Sequence, residues 1–128
     1  MSSLLTASYV AGAVVDAGAA IGMAFPDRFG AARRYVLPFD PSRVEFRYGM
    51  RYGVPLMAGW TVLLIWAAFE PIERRGVLLI TVVPVIAGLM LHDADAVRRG
   101  ELQRKPVWAV RALQLGLVAL FVSAYFLA

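Results

Sequence analysis

Cysteine is missing from this 128-residue chain, and histidine and lysine occur once each, as His92 and Lys105. Without cysteine there is no disulfide, no thiolate metal site and no cysteine nucleophile. One histidine excludes bis-histidine haem ligation within a single chain. A zinc site needs at least three protein ligands, and His92, Asp93 and Asp95 at one helix end do not point at one centre. No metal and no cofactor are therefore expected. There is no glycine-rich phosphate loop, and no serine has a His–Asp partner at a suitable spacing. Charged residues are few, 17% of the chain, and long runs carry none.

What is there is apolar. Hydrophobic residues make up 60% of the chain, and the mean hydropathy is +0.66. A soluble domain of this size could not cover that much apolar surface with so few charges. The expected fold is all-α, an integral membrane four-helix bundle in one domain over residues 1–128, with the lipid bilayer as its first partner. Helices are expected over about 4–25, 41–69, 76–97 and 106–127. Met1-Ser2-Ser3 lacks a basic region and Asp16 interrupts the first apolar run, so this run reads as a retained helix rather than a cleaved signal peptide.

The stretch from Asp40 to Phe69 organises the rest. Its head carries Arg43, Glu45, Arg47 and Arg51, with Tyr48 and Tyr52 between them, and from Tyr52 to Phe69 it has no charge. Asp40-Pro41 reads as an N-cap followed by proline at the first helical position, and Ser42 and Glu45 are spaced as a capping box. A helix from Pro41 to Phe69 is about 40 Å long, against a hydrocarbon core of about 30 Å. Its charged head should project from the membrane, and Pro55 should kink it. Helix 3 has an uncharged core from Val77 to Leu91 only, about 22 Å, so His92, Asp93 and Asp95 must continue it. Helix 4 is expected to draw Arg111 to the membrane boundary, with Gln114 one turn deeper. In helix 1, Gly18 and Gly22 form a small-x-x-x-small pair. Such a pair serves close packing inside the bundle or a homodimer seam through small-residue helix faces.

All basic residues but one are arginine, and the sequence pI is near 10.0. They lie in the loops, as membrane topology requires, so nucleic acid is not an expected partner. Arg28, Arg33, Arg34, Arg43, Arg47 and Arg51 flank the first loop, and Arg98, Arg99, Arg104 and Lys105 the third. The second holds only Arg74 and Arg75. This bias puts loops one and three in the cytoplasm and both termini outside, in a bacterial inner membrane.

Charged groups within a membrane protein are costly and mark sites facing an interior or a cavity. Asp16 in helix 1, Tyr48, Arg51 and Tyr52 in helix 2, His92 and Asp93 in helix 3, and Arg111 and Gln114 in helix 4 all fall toward the cytoplasmic half. The outer half is almost wholly apolar, apart from hydroxyls such as Thr61, Thr81 and Ser123. This asymmetry predicts a polar pocket open to the cytoplasm or inner leaflet. Asp16, His92 and Asp93 are the candidate catalytic groups. Arg51, Tyr52, Tyr48, Arg111 and Gln114 are candidate substrate contacts. Each has a plainer reading as well: Asp16 as glue to Arg51 or Arg111, the arginines snorkelling to phosphates, His92 as an interfacial hydrogen-bonder. Trp60, Trp66 and Trp108 read as packing or membrane-belt residues.

The Arg-x-Gly at residues 51–53 and the H-D-A-D-A-V-R-R-G run from His92 resemble small uncharacterised four-helix integral membrane proteins of bacteria and fungi, DoxX-like in layout. That resemblance implies a four-helix bundle and no particular activity. The lone acid in helix 1, Asp16, is similar to that of small multidrug transporters, although the long first loop and the one-sided charge bias depart from them. Three functions follow as expectations. One is a metal-free acid–base enzyme, an isomerase, cyclase or epoxide hydrolase acting on a lipophilic small molecule between Asp16 and Asp93. Another is a proton-coupled exporter centred on Asp16. The third is a non-catalytic lipid-binding or assembly subunit of the membrane.

Overall fold

The computed structural model describes residues 2–25, 28, 43–101 and 104–127. Four helices account for almost all of them: α1 (Ser2–Ala24), α2 (Val44–Phe69), α3 (Gly76–Arg98) and α4 (Arg104–Leu127). Each contains a window long and apolar enough to cross a membrane. The chain is thus an all-α integral membrane four-helix bundle.

α2 starts at Val44 rather than at Pro41, because Arg43 has extended backbone (φ −69°, ψ 136°). Asp40, Pro41 and Ser42, which carry the capping expectation, lie outside the described residues. The helix is still about 39 Å long, more than a hydrocarbon core requires. α3 runs past its uncharged core through His92 and Asp93 to Arg98. It widens to π-helical turns over Thr81–Ile86 around Pro84. Proline has no N–H to close the ordinary bond to Ile80, and the wider turn is how the backbone accommodates that loss.

Side-chain contacts fix the register. An added Cβ on Gly12 of α1 would lie 2.8 Å from the ring of Phe121 in α4 and 3.1 Å from Leu64 in α2. One on Gly53 of α2 would lie 2.8 Å from Met23 Sδ. The Tyr9 hydroxyl donates to the Arg74 carbonyl at 2.7 Å, and Trp60 Nε1 donates to Thr81 Oγ1 at 3.2 Å. Neighbouring helices are therefore antiparallel, and α1 and α3 run the same way. The buried core draws on all four helices, with Leu5, Tyr9, Leu64, Ala67, Leu78, Phe121 and Ala124 at its centre. Nearly all of it lies toward the end where residues 70–75 join α2 to α3, here the turn end. There Arg74 lies 3.7 Å above the Trp66 ring and pairs with Glu70. Arg75 lies 5.5 Å from the Tyr125 ring.

Within the chain, close approach uses Gly12 and Gly53. Gly18, expected to serve that purpose, faces open space with no atom near its would-be Cβ. Apolar burial gives little drive for helix association in lipid, so the fit at Gly12 carries weight through dispersion contacts. Gly12→Val should cost about 1–3 kcal/mol of stability in detergent micelles, as overpacking does. Gly18→Ala should cost nothing and gain about 0.5–1 kcal/mol through reduced backbone freedom. Denaturant titration of both variants checks this, and equal losses would mean that Gly12 is not the contact point.

Candidate functional site

The register divides the predicted polar residues into two groups. Tyr48, Arg51 and Tyr52 of α2, His92 and Asp93 of α3 and Arg111 of α4 share one axial zone, near the end of α1 and opposite the turn end. Tyr48 and Tyr52 approach with ring centroids 6.2 Å apart. Among the described residues no hydrogen bond or ion pair joins members of this group. His92 is exposed and Asp93 half-buried. Arg111 is half-buried, and its Nε is enclosed without a hydrogen-bond partner. Asp95 pairs with Arg99 at 2.8 Å on an exposed helix end.

Asp16 stands apart. It lies on the inward row Tyr9–Gly12–Asp16–Ala20–Met23 of α1 and is half-buried. The Gly12–Leu64 and Met23–Gly53 contacts put it level with Trp60, about nine residues or about 13 Å along the axis from Arg51. An arginine side chain does not reach that far. The glue contact with Arg51 or Arg111 is accordingly not formed: among the described residues Asp16 has no hydrogen bond or ion pair. Gln114 sits on the inward row of α4 with Leu117, Phe121 and Ala124, about one turn from the level of Asp16.

A cavity of about 520 Å³ lies between α1 and α2. Its α1 wall is Thr6, Tyr9, Val10, Ala13, Val14 and Ala17, and its α2 wall is Thr61, Ile65, Ala68 and Phe69. The cause is local. Ala13, Ala17 and Ala68 are too short to close the gap that Val10, Ile65 and Phe69 hold open. Val10, Val14, Ile65 and Phe69 are all exposed, so the cavity opens sideways on the flank of the bundle, where lipid lies. Two of its hydroxyls donate within the protein: Tyr9 to the Arg74 carbonyl, and Thr61 to the Met57 carbonyl at 2.8 Å. Among the described residues no carboxylate, imidazole or guanidinium lines it. Such a surface suits a hydrocarbon.

This groove lies in the half whose sequence is almost wholly apolar. The small residues of α1 were a signal for it, but a stripe of alanines reads equally as close packing. Which applies depends on the residues opposite. Gly12 meets Phe121 and Leu64, whereas Ala13 and Ala17 meet the gap beside Ile65.

An unpaired Asp16 has a measurable consequence. Asp16→Asn keeps the shape and removes the charge, so unfolding free energy should stay within about 0.5 kcal/mol of wild type or rise. Removing one partner of a buried ion pair typically costs about 3–5 kcal/mol. A loss of that size in detergent would place a cation beside Asp16.

Comparison with protein-family models, with curated proteins and with solved structures found no match.

Proposed function

We propose that the protein is a membrane-embedded binder of a lipophilic, chain-like molecule, which enters sideways from the bilayer into the groove between α1 and α2. One observation carries this reading: a lateral cavity of about 520 Å³ whose lining is apolar and whose Tyr9 and Thr61 donors are satisfied internally. Drug-sized ligands occupy pockets of about 300–1,000 Å³. Asp16, His92 and Asp93 are outside that lining, so the site supports binding rather than acid–base turnover. The concentration of arginine in loops one and three supports placing the turn end outside the cytoplasm.

The test is photolabelling of the purified protein with an uncharged, diazirine-bearing long-chain hydrocarbon. Label should map to α1 and α2. Ala13→Trp fills the groove and should lower labelling at least about tenfold, the equivalent of 1.4 kcal/mol. Val83→Trp, at an exposed position of α3, should leave it unchanged. Equal labelling in Ala13→Trp, with its thermal transition intact, overturns the reading.

A second reading rests on Asp16, which faces inward without a partner. Under it the protein is a proton-coupled exporter, with Asp16 as the shared site for proton and substrate. Lipophilic cation uptake into inverted vesicles, driven by a pH gradient, should then be abolished by Asp16→Asn. Groove labelling would be untouched by that change. Absence of gradient-driven uptake in wild type rejects the exporter.

A further inference from the structure

The groove does not stop at Thr61. On α2, Thr61 and Ile65 continue the face that carries Val54 and Ala58, and before them Arg47 and Arg51, which are four residues apart and share that face at 3.6 residues per turn. Arg43 stands at the N-cap, one residue before the helix. On α1 the matching line runs from Ala17 through Ile21 to Ala24. A shallow apolar seam thus leads from the cavity to an arginine stripe. Arg43 and Arg51 are exposed, and among the described residues neither makes an ion pair. Glu45 projects from the opposite side of the helix and does not neutralise the stripe. Tyr48 and Tyr52 stand exposed beside it, as aromatic side chains do at the level of lipid headgroups.

We infer that the stripe and the seam are one site, which holds an anionic phospholipid with its phosphate on the arginines and one acyl tail along α1 and α2. This rests on the groove reading for the tail and adds the headgroup. The dimensions agree. Arg51 and Thr61 are ten residues apart, about 15 Å, and half of a hydrocarbon core is also about 15 Å. A tail one leaflet long therefore ends where the cavity begins. Guanidinium groups bind phosphate oxygens in bidentate pairs. A zwitterionic headgroup brings its own cation to a stretch that already holds Arg43 and Arg51, whereas an anionic one does not.

The experiment uses the full chain in lipid nanodiscs with diazirine-tailed phosphatidylglycerol, phosphatidylcholine and free fatty acid. Phosphatidylglycerol should label α1 and α2 at least about fivefold more than phosphatidylcholine, the factor one basic residue provides at an anionic surface. The double variant Arg43→Gln, Arg51→Gln should bring that ratio to about one, and Arg98→Gln, an exposed arginine of α3, should leave it. If the double variant loses its thermal transition, 1 M salt on the wild type replaces it and should also collapse the ratio, since screening then acts over about 3 Å. Equal labelling by the two phospholipids, an equal effect of Arg98→Gln, or fatty acid labelling as strong as phosphatidylglycerol each overturns the inference. If the uncharged hydrocarbon still labels the groove in that event, only the headgroup assignment fails. If it does not, the groove reading fails with it.

Discussion

The bundle depends on one close contact, the bare backbone of Gly12 against Phe121 and Leu64. Lipid tails are as apolar as leucine, so burying a leucine between helices gains little over leaving it in lipid. What remains is the fit of surfaces, and Gly12 lets three helices meet at one point. α1 turns 100° per residue, so Ala17 points away from that meeting and buried Ala13 lies at its edge. The contact that draws α1 onto α2 and α4 therefore also leaves a flank of α1 short of a partner. Core and groove are two consequences of one register.

Polar groups in this frame are satisfied by register too. Tyr9 ties α1 to the carbonyl of Arg74, and Trp60 ties α2 to Thr81, which itself donates to the carbonyl of Val77 at 2.7 Å. Thr81 opens the π-helical segment around Pro84, so an interhelical hydrogen bond anchors α3 where its own ladder is disturbed. Arg74 folds back over Trp66 and Glu70, which holds the turn end together.

Much of the architecture was legible because lipid imposes lengths. The uncharged core of α3 was too short to span, and the helix does run on through His92 and Asp93. α2 begins at Val44 rather than near Pro41 because Arg43 has extended backbone. The site was harder to read for two reasons. Polar residues attract attention in a membrane sequence, so Asp16 and the arginines seemed to mark one pocket. Linear order does not show that Asp16 sits about 13 Å in axial level from Arg51. An alanine stripe is also ambiguous until its partner surface is known. Gly18 and Gly12 look alike in sequence, yet one faces space and the other a phenyl ring.

A lateral apolar groove in a bilayer is a poor discriminator. Whatever chain fills it leaves an environment as apolar as the one it enters, so transfer contributes almost nothing and shape alone must choose. Differences of a methylene or two in an apolar pocket are worth only about 1–3 kcal/mol even against water. Selectivity at such a site has to come from its polar end, where a phosphate exchanges water for guanidinium groups. In the proposed lipid site the choice of lipid therefore falls to the α2 head, a leaflet away from the cavity that the tail approaches. The excess length of α2 then has a use. A helix trimmed to the hydrocarbon core would keep the groove and lose the arginines proposed to meet the headgroup.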